Sequence, residues 1–103
     1  MVEQITDKSF GGFVKEGVVA VDCFAEWCPP CKMLSPVIEK LSLELPKIKF
    51  GKLNTDENPD IAEEYAIRSI PNILIFKNSK LIDQIVGFYP EAALKKKLAG
   101  YLD

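Results

Sequence analysis

Between residues 18 and 24 the chain reads Val-Val-Ala-Val-Asp-Cys-Phe, six apolar residues interrupted by one carboxylate. A half-exposed strand alternates apolar and polar side chains. A run without that alternation is stable as a strand only when both of its faces are covered. The segment therefore belongs in the middle of a sheet with helices above and below it, which restricts a chain of 103 residues to one α/β domain. Apolar residues make up 48% of the chain, enough for such a core.

The flanking segments fit that layout. Residues 2–6 predict a short strand, and residues 7–16 a helix with Phe10, Phe13 and Val14 on its inner face and Thr6 or Asp7 as cap. Gly11 and Gly12 weaken that helix. After Glu26-Trp27-Cys28-Pro29-Pro30-Cys31, the residues Leu34, Val37, Ile38, Leu41 and Leu45 recur at the spacing of one buried helical face, with Pro36 expected to kink it. Residues 48–53 predict a third strand. Asn58 is the expected cap of a short helix with Pro59 at its first position and Ile61, Ala62 and Tyr65 facing inward. Residues 72–77 and 80–86 predict two strands joined by Asn78-Ser79 in a tight hairpin. A last helix begins near Pro90, with no short polar cap before it, and buries Leu94, Leu98 and Leu102. The order β-α-β-α-β-α-β-β-α predicts parallel strands with right-handed crossovers early and an antiparallel pair late, in one mixed sheet. No repeat or linker interrupts it, so residues 1–103 read as a single domain.

Composition removes whole classes of function. With 13 basic and 15 acidic residues the net charge is −2, a mildly acidic field that attracts neither nucleic acid nor a membrane surface. There is no histidine, which excludes Ser-His and Cys-His nucleophile pairs, His-ligated zinc or haem, and a His proton shuttle. The first seven residues carry acidic side chains and no apolar core of a signal peptide, and no apolar run is long enough to span a bilayer, so a cytoplasmic protein is expected. Three cysteines, an odd number, do not suit a stapled secreted scaffold.

The chemistry concentrates where the buried run gives way to the helix. At a helix N-terminus, unpaired amides and the positive dipole end favour an anion, so a cysteine there is expected to hold more thiolate. Cys28 and Cys31, three residues apart, lie within one turn and close enough for a disulfide. Pro29 and Pro30 are tolerated because first-turn amides have no intrahelical partner. Cys28, expected at the exposed edge, should attack, and Cys31, drawn inward by the helix, should resolve the mixed disulfide. The competing reading is half of a zinc site, for which only Cys23 remains as a further thiol. Cys23, on the apolar strand, reads as a small packed hydrophobe. Asp22 is either a strand-end marker or a buried carboxylate with a raised pKa, able to exchange a proton with Cys31 through a water, and Lys52 is a candidate partner that tunes it. Pro71 either begins a strand in the ordinary trans form, which base rates favour, or is a cis proline at a tight turn. The Lys95-Lys96-Lys97 run reads as the solvated side of the last helix.

Trp27-Cys28-Pro29-Pro30-Cys31-Lys32, preceded by Val21-Asp22-Cys23-Phe24-Ala25-Glu26, resembles the thioredoxin family. The likeness continues through Pro36, Lys52-Leu53-Asn54, Asn58-Pro59, residues 65–71, Phe76-Lys77-Asn78 and Val86-Gly87, and so covers nearly the whole chain. It implies a thioredoxin fold, a central mixed five-stranded sheet of order 1-3-2-4-5 flanked by four helices, with the fourth strand antiparallel. It implies a thiol–disulfide oxidoreductase without a bound cofactor, reducing disulfides in substrate proteins and recharged by an NADPH- or ferredoxin-linked reductase, and acting as a monomer. Cys28 is then the nucleophile, Cys31 the resolving thiol, and Asp22 with Lys52 assists proton transfer. Pro71 is then cis, against the base-rate reading. Trp27, Pro30, Thr55, Ile70, Pro71, Val86, Gly87 and Phe88 match the family's shallow docking surface.

Three departures stand out. The family usually has Gly-Pro between the cysteines, whereas here Pro29 has no N–H to offer a thiolate. Phe24 replaces a common tryptophan, and Ser69 and Ser79 replace common glycines. Alternatives are a thioredoxin-like oxidase or isomerase with a shifted potential, and a non-catalytic module that docks partners around Pro71.

Overall fold

The computed structural model describes residues 2–103, so the start of the expected domain, Met1, lies outside the described residues. The elements run β1 (Val2–Gln4), α1 (Phe10–Phe13), β2 (Val18–Phe24), α2 (Pro29–Glu44), β3 (Ile48–Asn54), α3 (Pro59–Glu64), β4 (Asn72–Lys77), β5 (Lys80–Val86) and α4 (Glu91–Gly100). They build one five-stranded sheet of order β1-β3-β2-β4-β5. β1, β3 and β2 pair in parallel, and β4 runs antiparallel to both β2 and β5. The fold is the one expected from the sequence.

β2 shows why its apolar run has no alternation. Val18 and Ala20 pack with Leu34, Ile38 and Leu41 of α2 and with Leu94 and Leu98 of α4. Val19, Val21 and Cys23 pack on the other face with Phe10 and Phe13 of α1 and Ile61 of α3. Both faces of the strand are therefore covered, and successive residues serve opposite cores. Pro36 lies on the exposed side of α2, within a helix that continues unbroken from Pro29 to Glu44. Leu102 falls beyond α4 and is only half-buried.

Four local expectations are corrected. The helix expected over residues 7–16 is a single turn, Phe10–Phe13, with Ser9 as its cap residue. Two consecutive glycines lack the propensity to extend it. Thr6 and Ser9 instead exchange amide-to-hydroxyl bonds of 2.9 and 3.3 Å ahead of that turn. Asp7 does not cap α1 either: its carboxylate accepts the Asp60 and Ile61 amides at 3.2 and 3.0 Å and so caps α3. Asn58, the expected cap of α3, makes no capping bond of its own. Its side-chain oxygen accepts the Asp7 amide at 2.9 Å, which holds Asp7 in place. The first strand is also shorter than residues 2–6, although the Ile5 amide still donates to the Lys52 carbonyl at 2.9 Å.

The sheet centre tolerates no extra atom beside β1. A Cβ on Gly51 would lie 2.6 Å from Phe13 Cε2 and 3.3 Å from the Glu3 carbonyl oxygen. The Phe13 ring is itself buried, with the Lys49 ammonium 4.4 Å from its centroid, so it has little room to move aside. Gly51→Ala should destabilise the protein by about 1–3 kcal/mol, the range for overpacking, read as a lower urea midpoint at unchanged slope.

Candidate active site

β2 ends at Phe24, and the chain turns through Ala25, Glu26 and Trp27 before α2 begins. Cys28 is the cap residue of α2, with extended backbone, and Pro29 and Pro30 fill the first two helical positions. Neither proline carries an amide hydrogen, so the first side-chain-directed donor of the helix is the Cys31 N–H, which lies 3.3 Å from Cys28 Sγ. Cys28 and Cys31 are joined as a disulfide, with their Cα atoms 5.3 Å apart. The expected exposed edge for Cys28 is not present in this oxidised state, since both cysteines are only 3% exposed. The two sulfurs differ in what surrounds them. Cys28 Sγ lies 3.8 Å from the Ile70 carbonyl oxygen, while Cys31 lines a cleft that opens to the surface past Gln4, Glu26, Lys32 and Ser35.

That cleft has a volume of about 210 Å³, and Cys31 shares it with Asp22, Lys52, Gln4, Glu26, Lys32 and Ser35 among others. Sheet register creates it. Gln4, Lys52 and Asp22 are direct neighbours across β1, β3 and β2, and so point to one face, the face α2 covers. Asp22 is 5% exposed, and its Oδ1 has no hydrogen-bond partner. Burial pushes its carboxyl up to about 7, against the opposing pull of the Lys52 charge. It is thus a group that exchanges a proton near neutrality, in the same cleft as the inner sulfur.

Cys23, one residue on, faces the opposite core and is fully buried. Burial, then the Asp22 charge, pushes its thiol well above the ordinary range. It cannot join the other two cysteines on a metal, and among the described residues no three His, Cys, Asp or Glu side chains cluster to hold one.

Ile70 packs against Ala25, Cys28 and Cys31, and the Ile70–Pro71 peptide bond is cis. The Pro71 carbonyl accepts the Gly87 amide at 2.8 Å, which brings the Val86–Phe88 segment to the same edge. Trp27 is 68% exposed, Val86 50% and Phe88 41%, and Pro30, in the first turn of α2, is exposed as well. Thr55 is committed elsewhere: its amide and hydroxyl both donate to the Phe24 carbonyl, at 2.9 and 3.2 Å, and pin the end of β2. Asp56, which the sequence did not single out, accepts the Trp27 indole N–H at 2.9 Å and fixes that ring.

A family model described as thioredoxin matches residues 1–100. The chain belongs to the thioredoxin family. It is 43% identical to the thioredoxin of Chlamydia caviae over 91% of this chain and 92% of that one. It is 45% identical to the thioredoxin of Synechocystis over 96% and 95%, and 40% identical to that of Bacillus subtilis over 98% of each. Among solved structures, a mutant thioredoxin from Halobacterium salinarum superposes with a TM-score of 0.90 at 30% identity, covering 98% of this chain and 90% of that one.

With a cysteine pair at disulfide distance and thioredoxins as relatives, the protein is a thiol–disulfide oxidoreductase. Thioredoxin chemistry uses disulfide substrates and a reductase partner. Among the described residues no helix is long and apolar enough to cross a membrane. Gln4, Ser35, Glu26 and Lys32 join the site only through the cleft. Gln4 needs the β1–β3–β2 register to reach it, whereas Ser35 carries a signal in the sequence, four residues beyond Cys31 on one helical face.

Proposed function

We propose that this single-domain thioredoxin reduces protein disulfides with Cys28 as nucleophile and Cys31 as resolving thiol. The Cys28 thiolate attacks one sulfur of the substrate disulfide, forms a Cys28–substrate disulfide and releases the other substrate sulfur as a thiolate, which takes up a proton. Cys31 then loses its proton, attacks Cys28 Sγ and expels the second substrate thiolate. Two electrons leave the dithiol, and the protein ends as the Cys28–Cys31 disulfide. Asp22, with Lys52 moderating its charge, receives the Cys31 proton in the cleft, and a separate reductase, NADPH- or ferredoxin-linked, restores the dithiol. Trp27, Pro30, Ile70, Pro71, Val86, Gly87 and Phe88 form the apolar platform on which an extended substrate segment rests, with Thr55 supporting its floor.

The observation that carries this reading is the asymmetry of the pair. Cys28 Sγ accepts the helix-terminal amide of Cys31 and touches Ile70 on the apolar edge, while Cys31 faces the cleft that holds Asp22. A charge is best stabilised at the first sulfur, and a proton acceptor is available at the second. The reading extends to a cytoplasmic monomer that needs no bound cofactor.

Cys31→Ser should trap a covalent adduct with a disulfide-bearing protein substrate, visible on a non-reducing gel and released by dithiothreitol, because the first attack proceeds and resolution cannot. Cys28→Ser should trap none. Adducts on Cys28→Ser and not on Cys31→Ser would reverse the two roles. The direction of net transfer is read from equilibrium with glutathione. A potential near about −270 mV marks a reductant, and one near about −120 mV would make the protein an oxidant instead.

A further inference from the structure

The cleft beneath the disulfide contains more polar chemistry than Asp22 and Lys52 supply. Ser35 stands four residues after Cys31, one turn along α2, so the two side chains share a face of the helix. A helical serine commonly returns its hydroxyl to a backbone carbonyl three or four residues earlier. Ser42 does so on this helix, donating to the Glu39 carbonyl at 2.6 Å. The Ser35 hydroxyl has no hydrogen-bond partner among the described residues and lines the cleft instead. Gln4 enters from the other side, in the register row that also holds Lys52 and Asp22. Between them, Asp22 presents a buried oxygen with no partner of its own. At about 210 Å³, the cleft is large enough for several waters, and its polar walls give each one partners.

We propose that Ser35, assisted by the Gln4 amide, is a positioning residue that holds the water carrying the proton from Cys31 to Asp22. The proposal rests on Asp22 as the proton acceptor. When Cys31 is needed as a thiolate, its proton passes to the held water, and that water gives a proton to Asp22 Oδ1. The sulfur left negative closes the disulfide with Cys28, and the departing substrate thiolate takes a proton from solvent. The hydroxyl suits this place because it donates and accepts at once, and so can orient a water without fixing which way the proton moves. The charged groups that face Asp22 are Lys52 from β3, Glu26 from the β2–α2 turn and Lys32 from α2, with Cys31 opposite. Cys23 lies on the far side of the sheet. None of these substitutes for Ser35, because each carries a charge or is itself a reactant.

The test is the rate at which the Cys28–substrate disulfide is resolved, measured in single-turnover mixing from pH 5.5 to 8.5, with the rate of the first attack as internal control. Ser35→Ala, which puts a better helix former at an exposed position, should fold normally. It should slow resolution about fivefold to tenfold above about pH 7, where Asp22 is ionised and able to accept the proton, leave the first attack within about twofold, and lose the inflection near neutrality, consistent with one well-placed hydrogen bond. Ser35→Thr restores the hydroxyl and should return the rate to within about twofold. Asp22→Asn should slow the same step, and adding Ser35→Ala to it should bring no further loss, because the two act in one relay. If Asp22→Asn slows resolution while Ser35→Ala leaves both the rate and the pH profile unchanged, this proposal fails and the Asp22 assignment stands. If Asp22→Asn has no effect, both fail together.

Discussion

Chemical denaturation of the oxidised protein should show stability falling as the pH is raised from 4 to 8, by about 4 kcal/mol in total from one residue. Asp22 holds its proton up to about pH 7 in the folded chain, against 3.8 for an ordinary aspartate. Each unit of that difference is worth about 1.4 kcal/mol. Between those values the unfolded chain has released the proton and the folded chain has kept it, so raising the pH favours unfolding. Above about 7 both states are ionised and the loss stops growing. Asp22→Asn, of nearly the same shape as the neutral carboxyl, should remove most of this slope. It should also raise stability at pH 8 by about 2–4 kcal/mol, equivalent to about 10 °C or more in midpoint temperature. A flat profile for the parent protein, or a variant no more stable at pH 8, would show that Asp22 is solvated and not poised. The same variant is expected to be the slower reductant. A buried carboxylate costs stability and supplies a proton acceptor at the inner sulfur, and one measurement of each kind separates the two consequences.

How much of this was legible in the chain depended on the range of the interaction. The unbroken apolar run of β2 carried its own message, because a strand covered on both faces cannot tolerate alternation, and the sheet followed from it. Asp22 stood out for the same reason: a carboxylate in that run has no bland explanation once both faces prove covered. What one residue does for a distant one was not legible. Asp7 looks like the cap of the helix beside it and in fact caps α3, more than fifty positions away, because Gly11 and Gly12 leave α1 too short to need it. Asn58 is displaced from its expected role by the same exchange. The cis peptide at Pro71 ran against base rates and was indicated only by the family likeness. Trp27 was indicated only by the family likeness, as part of a docking surface, and its anchor Asp56 depends on how the β3–α3 turn meets the β2–α2 turn. Ser35 lay within reach of helical periodicity, but Gln4 required the strand register.

Brief alkylation of the fully reduced protein with iodoacetamide at pH 7 should label Cys28 at least about a thousand times faster than Cys23, with Cys31 between them, as read by mass spectrometry of the peptides. Two separate factors set the difference. The reagent takes the thiolate, and Cys28 sits at the amide end of a sixteen-residue helix with the Cys31 N–H directed at its sulfur. The Cys23 thiol is held far from ionisation by burial and by the neighbouring Asp22 charge. Access acts in the same direction. Cys28 caps α2 beside the exposed Trp27, so once the disulfide is reduced a local shift of that turn is enough to admit a small reagent, although the sulfur is 3% exposed in the oxidised form. Cys23 is 0% exposed on a strand paired to β3 on one side and β4 on the other, and reaching its sulfur requires that strand to come free. Cys31 has the cleft for access but sits inside the helix, where its own amide serves Cys28. A protein in which Cys23 labels as fast as Cys28 would have a loosened β2. One in which Cys31 labels first would place the stabilised anion on the inner sulfur, leaving the helix end without its part in the reaction.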